Sequence, residues 1–153
     1  MIKELLVLIK LLFMKVDCNM SELPILRMKH FPFIGYSAMM WCCHIIKRDD
    51  NHPIGYNMIR HETVHYKQVC TYGSNIKYYL TYIWEWIKCG MIGASAYYLN
   101  PFEVEAYVNE DVSNYETYKG KWKKYKILNG RKLYRKNKYN WKRFLDEYFK
   151  DVH

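Results

Sequence analysis

The sequence predicts an α+β fold that is mainly helical, with a small sheet beside one central helix. Three observations support this fold class. The chain has 153 residues, half of them hydrophobic and 18% aromatic, which is enough for one packed core. Helical segments are predicted at residues 2–15, 58–72, 76–88, 100–118 and 141–149, which is about half of the chain. The plausible strands lie within residues 23–47, apart from a possible hairpin at Asn129-Gly130. No repeat or low-complexity linker interrupts the sequence, so we expect a single domain over residues 1–153.

The N-terminal third is expected to contain one helix and two strands. Residues 2–15 are apolar but carry charged residues throughout, which predicts an amphipathic helix packed on the core. The alternative is that this helix lies at a membrane surface. Residues 23–29 and 37–47 predict strands around a turn at residues 31–35.

A second helix is predicted from about Met58 to Tyr72. Pro53 and Gly55 interrupt the chain upstream, and Asn57 is a suitable N-cap residue. Downstream, residues 76–99 are apolar and long enough to span a membrane, but they include charged side chains and two glycines. We therefore expect two helices, an aromatic one over residues 76–88 and another that meets it near Gly90.

The last third is expected to form a helix, a hairpin and a short closing helix. Asn100, followed by proline, is typical of a helix start, and this helix is expected to run to about Tyr118. The Asn129-Gly130 pair is a strong hairpin signal. Residues 141–149 predict the closing helix.

The most informative motif is His-Glu-Thr-Val-His at residues 61–65. Two histidines four apart project from one helix face, so the imidazoles of His61 and His65 can reach a single metal ion. Glu62 lies on the adjoining side, where a carboxylate can deprotonate a metal-bound water. These features predict a zinc-dependent hydrolase rather than two unrelated surface histidines. The histidines also belong to a stripe at helical spacing: Met58, His61, His65, Gln68 and Tyr72.

A tetrahedral zinc site needs a third protein ligand, and Glu103 is the candidate. It falls in the first turn of the helix that begins at Asn100. The alternative is a capping box, in which the Glu103 side chain bonds the backbone amide of Asn100. Because residues 61–68 contain no third ligand, we expect Glu103 to bind the metal ion. Glu105, on the far side of the same helix, is the alternative ligand.

The HExxH motif followed by Glu-x-x-Ala resembles the gluzincin type of zinc peptidase, and residues 103–107 are similar to the Glu-x-x-Ala-Asp motif of membrane-bound prenyl-protein peptidases. More closely, about residues 25–148 resemble a group of small uncharacterised bacterial HExxH proteins. The shared stretches are His-Phe-Pro-Phe at 30–33, His-Glu-x-x-His-x-x-Gln at 61–68, Glu-Trp at 85–86 and Phe-Glu-x-Glu-Ala-Tyr at 102–107.

The resemblance implies a metallopeptidase that acts on peptides or proteins. It implies zinc ligands at His61, His65 and Glu103, and a catalytic carboxylate at Glu62. Tyr107 stands where the prenyl-protein peptidases carry aspartate, so the carboxylate that usually orients a ligand histidine is missing at that position. One turn beyond Glu103, Tyr107 is our candidate donor to the oxyanion of the tetrahedral intermediate.

The net charge of +9 is concentrated in a basic segment, residues 119–143. This segment has twelve Lys or Arg and no acidic residue, which leaves the remainder at −3. Its aromatic residues are Trp122, Tyr125, Tyr134, Tyr139 and Trp141. Such a mixture can bind an anionic partner, either nucleic acid or a membrane surface. We expect instead that the aromatics pack on the domain and that the charges are solvated.

Two further functions remain as alternatives to the peptidase. One is an inactive, peptidase-like zinc-binding module, and the other is a nucleic-acid-binding protein that uses the basic segment. The five cysteines show no regular spacing, which indicates free thiols in a reducing compartment and predicts a cytoplasmic protein. Metal binding by Cys42 and Cys43 is disfavoured, because adjacent strand residues face opposite sides.

Overall fold

The computed structural model describes residues 1–32, 38–50, 52–90 and 94–152. The fold is α+β, mainly helical with one small sheet, which confirms the predicted class. The strands are β1 (Ile25–Met28), β2 (Ala38–Trp41) and β3 (His44–Arg48). The α-helices are α1 (Ile2–Leu12), α2 (Tyr56–Tyr72), α3 (Asn75–Lys88), α4 (Ala94–Leu99), α5 (Pro101–Asn109), α6 (Gly130–Asn137) and α7 (Trp141–Tyr148). Two short 3₁₀ helices cover Lys121–Tyr125 and Lys138–Asn140.

The three strands form a mixed sheet in the order β1-β3-β2. β1 is parallel to β3, and β2 is antiparallel to it with Met40 opposite Ile45. The single strand expected over residues 37–47 is therefore two strands. They are joined by Cys42 and Cys43, whose φ angles of 50° and 63° reverse the chain. The expected turn at residues 31–35 lies mostly outside the described residues.

Helix α2 starts two residues before the expected Met58. Gly55, with extended backbone angles, is the N-cap residue, so Asn57 lies inside the first turn and not at the cap. The helix ends where it was predicted to end. Gly73 follows it with a φ of 62°, a left-handed conformation that glycine adopts without a steric penalty.

Residues 76–99 contain two helices, α3 and α4, as expected. α3 ends at Lys88, and Gly90 follows with a φ of 111°. The helix that begins after Asn100 is shorter than expected, because α5 ends at Asn109 and not near Tyr118. The buried Asn109 amide donates to the carbonyl of Glu105 and to the Tyr125 hydroxyl, which fixes this helix end against the basic segment.

The expected hairpin at Asn129-Gly130 is wrong, since Gly130 is the first residue of helix α6. Asn129 has a φ of 55°, which a hairpin turn would also require. A Cβ atom on Gly130 would lie 2.7 Å from Cδ2 of Leu99. Glycine at this position therefore allows α6 to approach α4 closely. In the sequence, a glycine needed for such packing looks the same as a glycine needed for a hairpin turn.

Helix α5 lies between two hydrophobic clusters, so nearly all of its residues are buried. On one side Phe102 stacks on Trp122 with ring centroids 4.8 Å apart. On the other side Val104 and Val108 pack against Tyr125 and residues of α7. Burial of this kind stabilises a core by about 1.5–3 kcal/mol for each large apolar side chain. The packing holds α5 rigidly across α2.

No helix in the described part of the chain is both long enough and apolar enough to cross a membrane.

Candidate metal centre

Helices α2 and α5 bring the three predicted ligands together. His61 and His65 lie one turn apart on α2 and face Glu103 in the first turn of α5. Nε2 of His61 is 3.2 Å from Oε2 of Glu103, and Nε2 of His65 is 3.3 Å from the same oxygen. The two Nε2 atoms are 3.2 Å apart. All three side chains are buried, and together they could hold a metal ion.

The Glu103 carboxylate points toward α2 and not toward its own helix cap. Asn100 caps α5 with its own side chain, whose Oδ1 accepts the N–H of Phe102 at 3.1 Å. Oε1 of Glu103 accepts the hydroxyl of Tyr82 at 2.6 Å. With one oxygen held in this way, the other faces the two histidines.

The orientation of His65 is set by Gln68. The Gln68 amide nitrogen donates to the carbonyl of Phe102 at 3.1 Å and to Glu105 at 2.9 Å, so its oxygen must be the acceptor on the other side. That oxygen lies 2.8 Å from Nδ1 of His65 and also accepts the hydroxyl of Tyr78. These contacts assign the proton of His65 to Nδ1 and leave the lone pair of Nε2 directed at Glu103.

The orientation of His61 is set by Glu110. Nδ1 of His61 lies 3.0 Å from Oε2 of Glu110, and a carboxylate can only accept from it. Nε2 of His61 therefore also presents a lone pair. A carboxylate that orients a metal-binding histidine is a common arrangement in zinc sites. Glu110 follows Glu103 by seven residues, which puts both on one helix face. This spacing could have marked Glu110 as a neighbour of the cluster, but it does not identify His61 as its partner.

Three acceptor atoms thus converge with no hydrogen-bond donor among them. Two imidazole nitrogens and one carboxylate oxygen form a donor set that suits a catalytic zinc site. Such an arrangement is stable only with a positive charge at its centre, either a metal ion or a proton.

The pKa shifts of the three side chains also indicate that the cluster favours a positive charge at its centre. Burial lowers the pKa of His61, but the Glu103 and Glu110 carboxylates outweigh it and raise that pKa to about 10. Burial likewise opposes protonation of His65, and Glu103 raises the pKa of His65. Burial alone would raise the pKa of Glu103, but the two histidines hold that pKa well below its usual range. The site is therefore built to hold positive charge.

Glu62 lies beside the ligands and faces a cavity. Its Oε2 accepts the N–H of Met40, at 2.7 Å, from the edge strand β2. Glu62, His65 and Glu103 all line a cavity of about 310 Å³. Burial raises the pKa of Glu62, and the negative charge of Glu103 adds to this effect.

The remaining wall of this cavity is largely aromatic and aliphatic. Trp41 of β2 stacks on Tyr79 of α3 with ring centroids 4.5 Å apart. Ile83 and Trp86 of α3 line the cavity further along, and Tyr97 of α4 lines it as well. The candidate catalytic residues therefore lie at one side of an apolar cavity.

Tyr107 packs against His61, one of the three candidate ligands. Its ring centroid is 4.4 Å from that of His61, and the rings are tilted by 56°. Its hydroxyl is hydrogen-bonded to Tyr97, a residue that lines the cavity. Tyr107 thus packs on the ring of His61, whereas Tyr97 lines the cavity together with Glu62. No sequence pattern marks Tyr97 as a cavity residue.

Glu105, the alternative ligand, contributes no atom to the cluster of three. It is fully buried on the other side of α5, where it accepts hydrogen bonds from Gln68, Tyr115 and Thr117 at 2.9, 2.8 and 2.5 Å. Through Gln68 it helps to orient His65. The sequence-based expectation that Glu103 and Glu105 point to opposite sides agrees with this arrangement.

The aromatic residues of the basic segment mostly pack on the domain. Trp122, Tyr125 and Trp141 are buried, whereas Tyr139 is 88% exposed. Stacking on nucleic-acid bases needs an accessible ring face, and the buried rings do not offer one. The five cysteines are free thiols, and Cys42 and Cys43 lie in the turn of the sheet.

When the chain was compared with protein-family models, with curated proteins and with solved structures, no match was found.

Proposed function

We propose that this protein is a zinc-dependent metallopeptidase of the gluzincin type. His61, His65 and Glu103 would hold the metal ion, and Glu62 would be the catalytic carboxylate. The observation that carries this proposal is the convergence of three buried acceptor atoms within 3.3 Å of one another. Each histidine is fixed in the required tautomer by its own partner, Glu110 for His61 and Gln68 for His65.

Zinc bound there would supply an acidified water and would polarise a peptide carbonyl. Glu62 is placed to take the proton from the attacking water and to pass it to the leaving amine. The N–H of Met40 holds one oxygen of Glu62 in position. Burial keeps bulk water from competing for this carboxylate and raises its pKa, which makes it a stronger base toward the attacking water.

The cavity favours peptide substrates with a bulky apolar side chain next to the cleaved bond. Trp41, Ile83 and Trp86 provide apolar walls, and the cavity is open to Glu62. Its volume of about 310 Å³ is at the lower end for ligand pockets, which suits one large side chain.

The test is zinc content by elemental analysis, followed by hydrolysis of a quenched-fluorescent peptide library. We expect one zinc per wild-type chain and loss of zinc in both His61→Ala and Glu103→Gln. Glu105→Gln is the matched comparison, since it makes the same change in a buried carboxylate of α5 that contributes no converging atom. Because Glu105 acts on His65 only through Gln68, this variant should bind zinc more weakly but should keep it.

If zinc is retained in Glu103→Gln but lost in Glu105→Gln, Glu105 is the third ligand and Glu103 is not. Wild-type protein that takes up no zinc after its addition would refute the proposal. Stoichiometric zinc without hydrolysis of any peptide would favour an inactive, peptidase-like binding module.

A further inference from the structure

Helix α1 exposes most of its apolar side chains. It contacts the domain through a narrow stripe, in which Glu4 and Leu8 are half-buried and Leu11 is buried. Its exposed apolar residues are Ile2, Leu5, Leu6, Val7 and Ile9, and Phe13 follows directly after the helix. A helix that served only to cover the core would direct such residues inward.

Helix α3 exposes a second apolar stripe. Leu80 is 65% exposed and Trp84 is 57% exposed. The full stripe, at helical spacing, consists of Ile76, Leu80, Ile83, Trp84 and Ile87, of which Ile83 also borders the cavity. Contiguous apolar exposure of this kind marks an interaction site more often than single exposed residues do.

The exposed faces of α1 and α3 belong to neighbouring elements. The amide of Asn75, at the start of α3, donates to the carbonyls of Leu11 and Met14 at the end of α1. The indole of Trp41 donates to the carbonyl of Leu8 at 2.9 Å, and its ring stacks on Tyr79 of α3. We call the exposed residues of these two helices the α1–α3 surface.

The exposed charges on both helices are positive. Lys3 and Lys10 on α1 and Lys77 on α3 are exposed. The carboxylate of α1, Glu4, is half-buried and bonded to the ring of His30 and to the N–H of Lys29. The carboxylate of α3 is Glu85, which is buried and paired with Lys88 at 2.7 Å and Lys126 at 3.2 Å. Neither helix presents an exposed carboxylate.

We propose that the α1–α3 surface binds peripherally to anionic lipid membranes. Exposed apolar side chains and an exposed tryptophan, on helices whose exposed charges are lysines, match the requirements of a membrane interface. A second copy of the chain fits less well, because pairing two such surfaces would bring lysines together with no exposed carboxylate of α1 or α3 to neutralise them. This binding does not depend on the proposed peptidase activity.

The test is co-sedimentation of the full chain with vesicles of phosphatidylglycerol and phosphatidylcholine in equal parts, beside vesicles of phosphatidylcholine alone. We expect the wild type to sediment with the anionic vesicles and much less with the neutral ones. Leu6→Glu and Leu80→Glu should each reduce the partition coefficient about tenfold or more. Leu128→Glu, which makes the same change at a 79% exposed leucine outside both helices, should bind as the wild type does.

Far-UV circular dichroism establishes that each variant is folded, and the two positions on separate helices keep the test valid if one variant misfolds. No sedimentation with anionic vesicles would overturn the proposal. Binding that is equal in all variants would also overturn it. A concentration-dependent dimer in sedimentation velocity, abolished by Leu80→Glu and accompanied by no vesicle binding, would assign the surface to self-association instead.

Discussion

Nδ1 of His61 lies 3.0 Å from Oε2 of Glu110, so a carboxylate outside the candidate ligand set orients one of the ligands. Glu110 comes seven residues after Glu103 and directly follows the last residue of α5. Position 107, where the resemblance to prenyl-protein peptidases would place such a carboxylate, is tyrosine. In this chain the carboxylate that bonds His61 comes from Glu110, one turn further along than position 107.

Glu110→Gln should weaken zinc binding without abolishing it. The amide oxygen can still accept the His61 proton, but the negative charge that makes the imidazole a stronger ligand is lost. We expect the dissociation constant to rise about 10- to 100-fold, measured by competition with a chromophoric chelator. Glu116→Gln, at a side chain that is 85% exposed, is the control and should change nothing. Equal affinity in Glu110→Gln and wild type would leave Glu110 without a role in the metal centre.

Glu62→Gln should keep zinc and lose turnover. The glutamine oxygen can still accept the N–H of Met40, so the local structure is preserved. Without a carboxylate at this position the attacking water has no base, and we expect kcat to fall about 10²- to 10⁴-fold. Peptide hydrolysis and zinc content are measured on the same preparation. If zinc is lost together with activity, Glu62 is needed for metal binding, and the result does not support a role as the catalytic base.

Contacts along one helix could be predicted from the sequence, and contacts between helices could not. The HExxH spacing places His61 and His65 on one face because the helical period fixes which residues are neighbours. Asn100 and the following proline fix the start of α5, which puts Glu103 in its first turn. The partnership of His61 with Glu110 depends on how α5 crosses α2, and no local pattern encodes that crossing.

Local turn signals were the weakest guide to the fold. The strand expected over residues 37–47 contains a reversal at Cys42 and Cys43, two residues that rarely adopt a positive φ. The hairpin expected at Asn129-Gly130 is a helix start, because tertiary packing on Leu99 explains the glycine there. Both differences arise where long-range packing outweighs local preference.

Tyr97→Phe should lower kcat more than Tyr107→Phe does. Each change removes one hydroxyl from a half-buried ring. Tyr97 lines the cavity with Glu62, and burial raises its pKa well above the usual value, so its hydroxyl remains a proton-bearing donor. Loss of an oxyanion donor typically costs about 10²- to 10³-fold in kcat. Tyr107 packs on His61 instead, so its variant should retain most of the activity. The reverse order in steady-state kinetics would restore Tyr107 as the donor.

Gly130→Ala should destabilise the fold, and shortening Leu99 should relieve part of the loss. The added Cβ would lie 2.7 Å from Cδ2 of Leu99, inside the packed cluster beneath α6. Overpacking of this kind costs about 1–3 kcal/mol in the free energy of unfolding. Urea unfolding of Gly130→Ala, Leu99→Ala and the double variant forms a double-mutant cycle. We expect the double variant to lose less stability than the sum of the single losses, and strict additivity would show that the two residues do not meet.

Cys42 and Cys43 should react slowly with iodoacetamide at pH 8, while Cys18 reacts quickly. Burial raises the pKa of Cys42 to about 12 and that of Cys43 to about 11. The thiolate is the reactive form, so a raised pKa leaves little of it at pH 8. Cys18 is exposed, which gives the reagent direct access. Mass spectrometry of peptides after timed alkylation measures the three rates separately, and in denaturant the rates should become similar. Equal rates in the folded protein would mean that the turn between β2 and β3 opens readily, because both buried thiols lie in that turn.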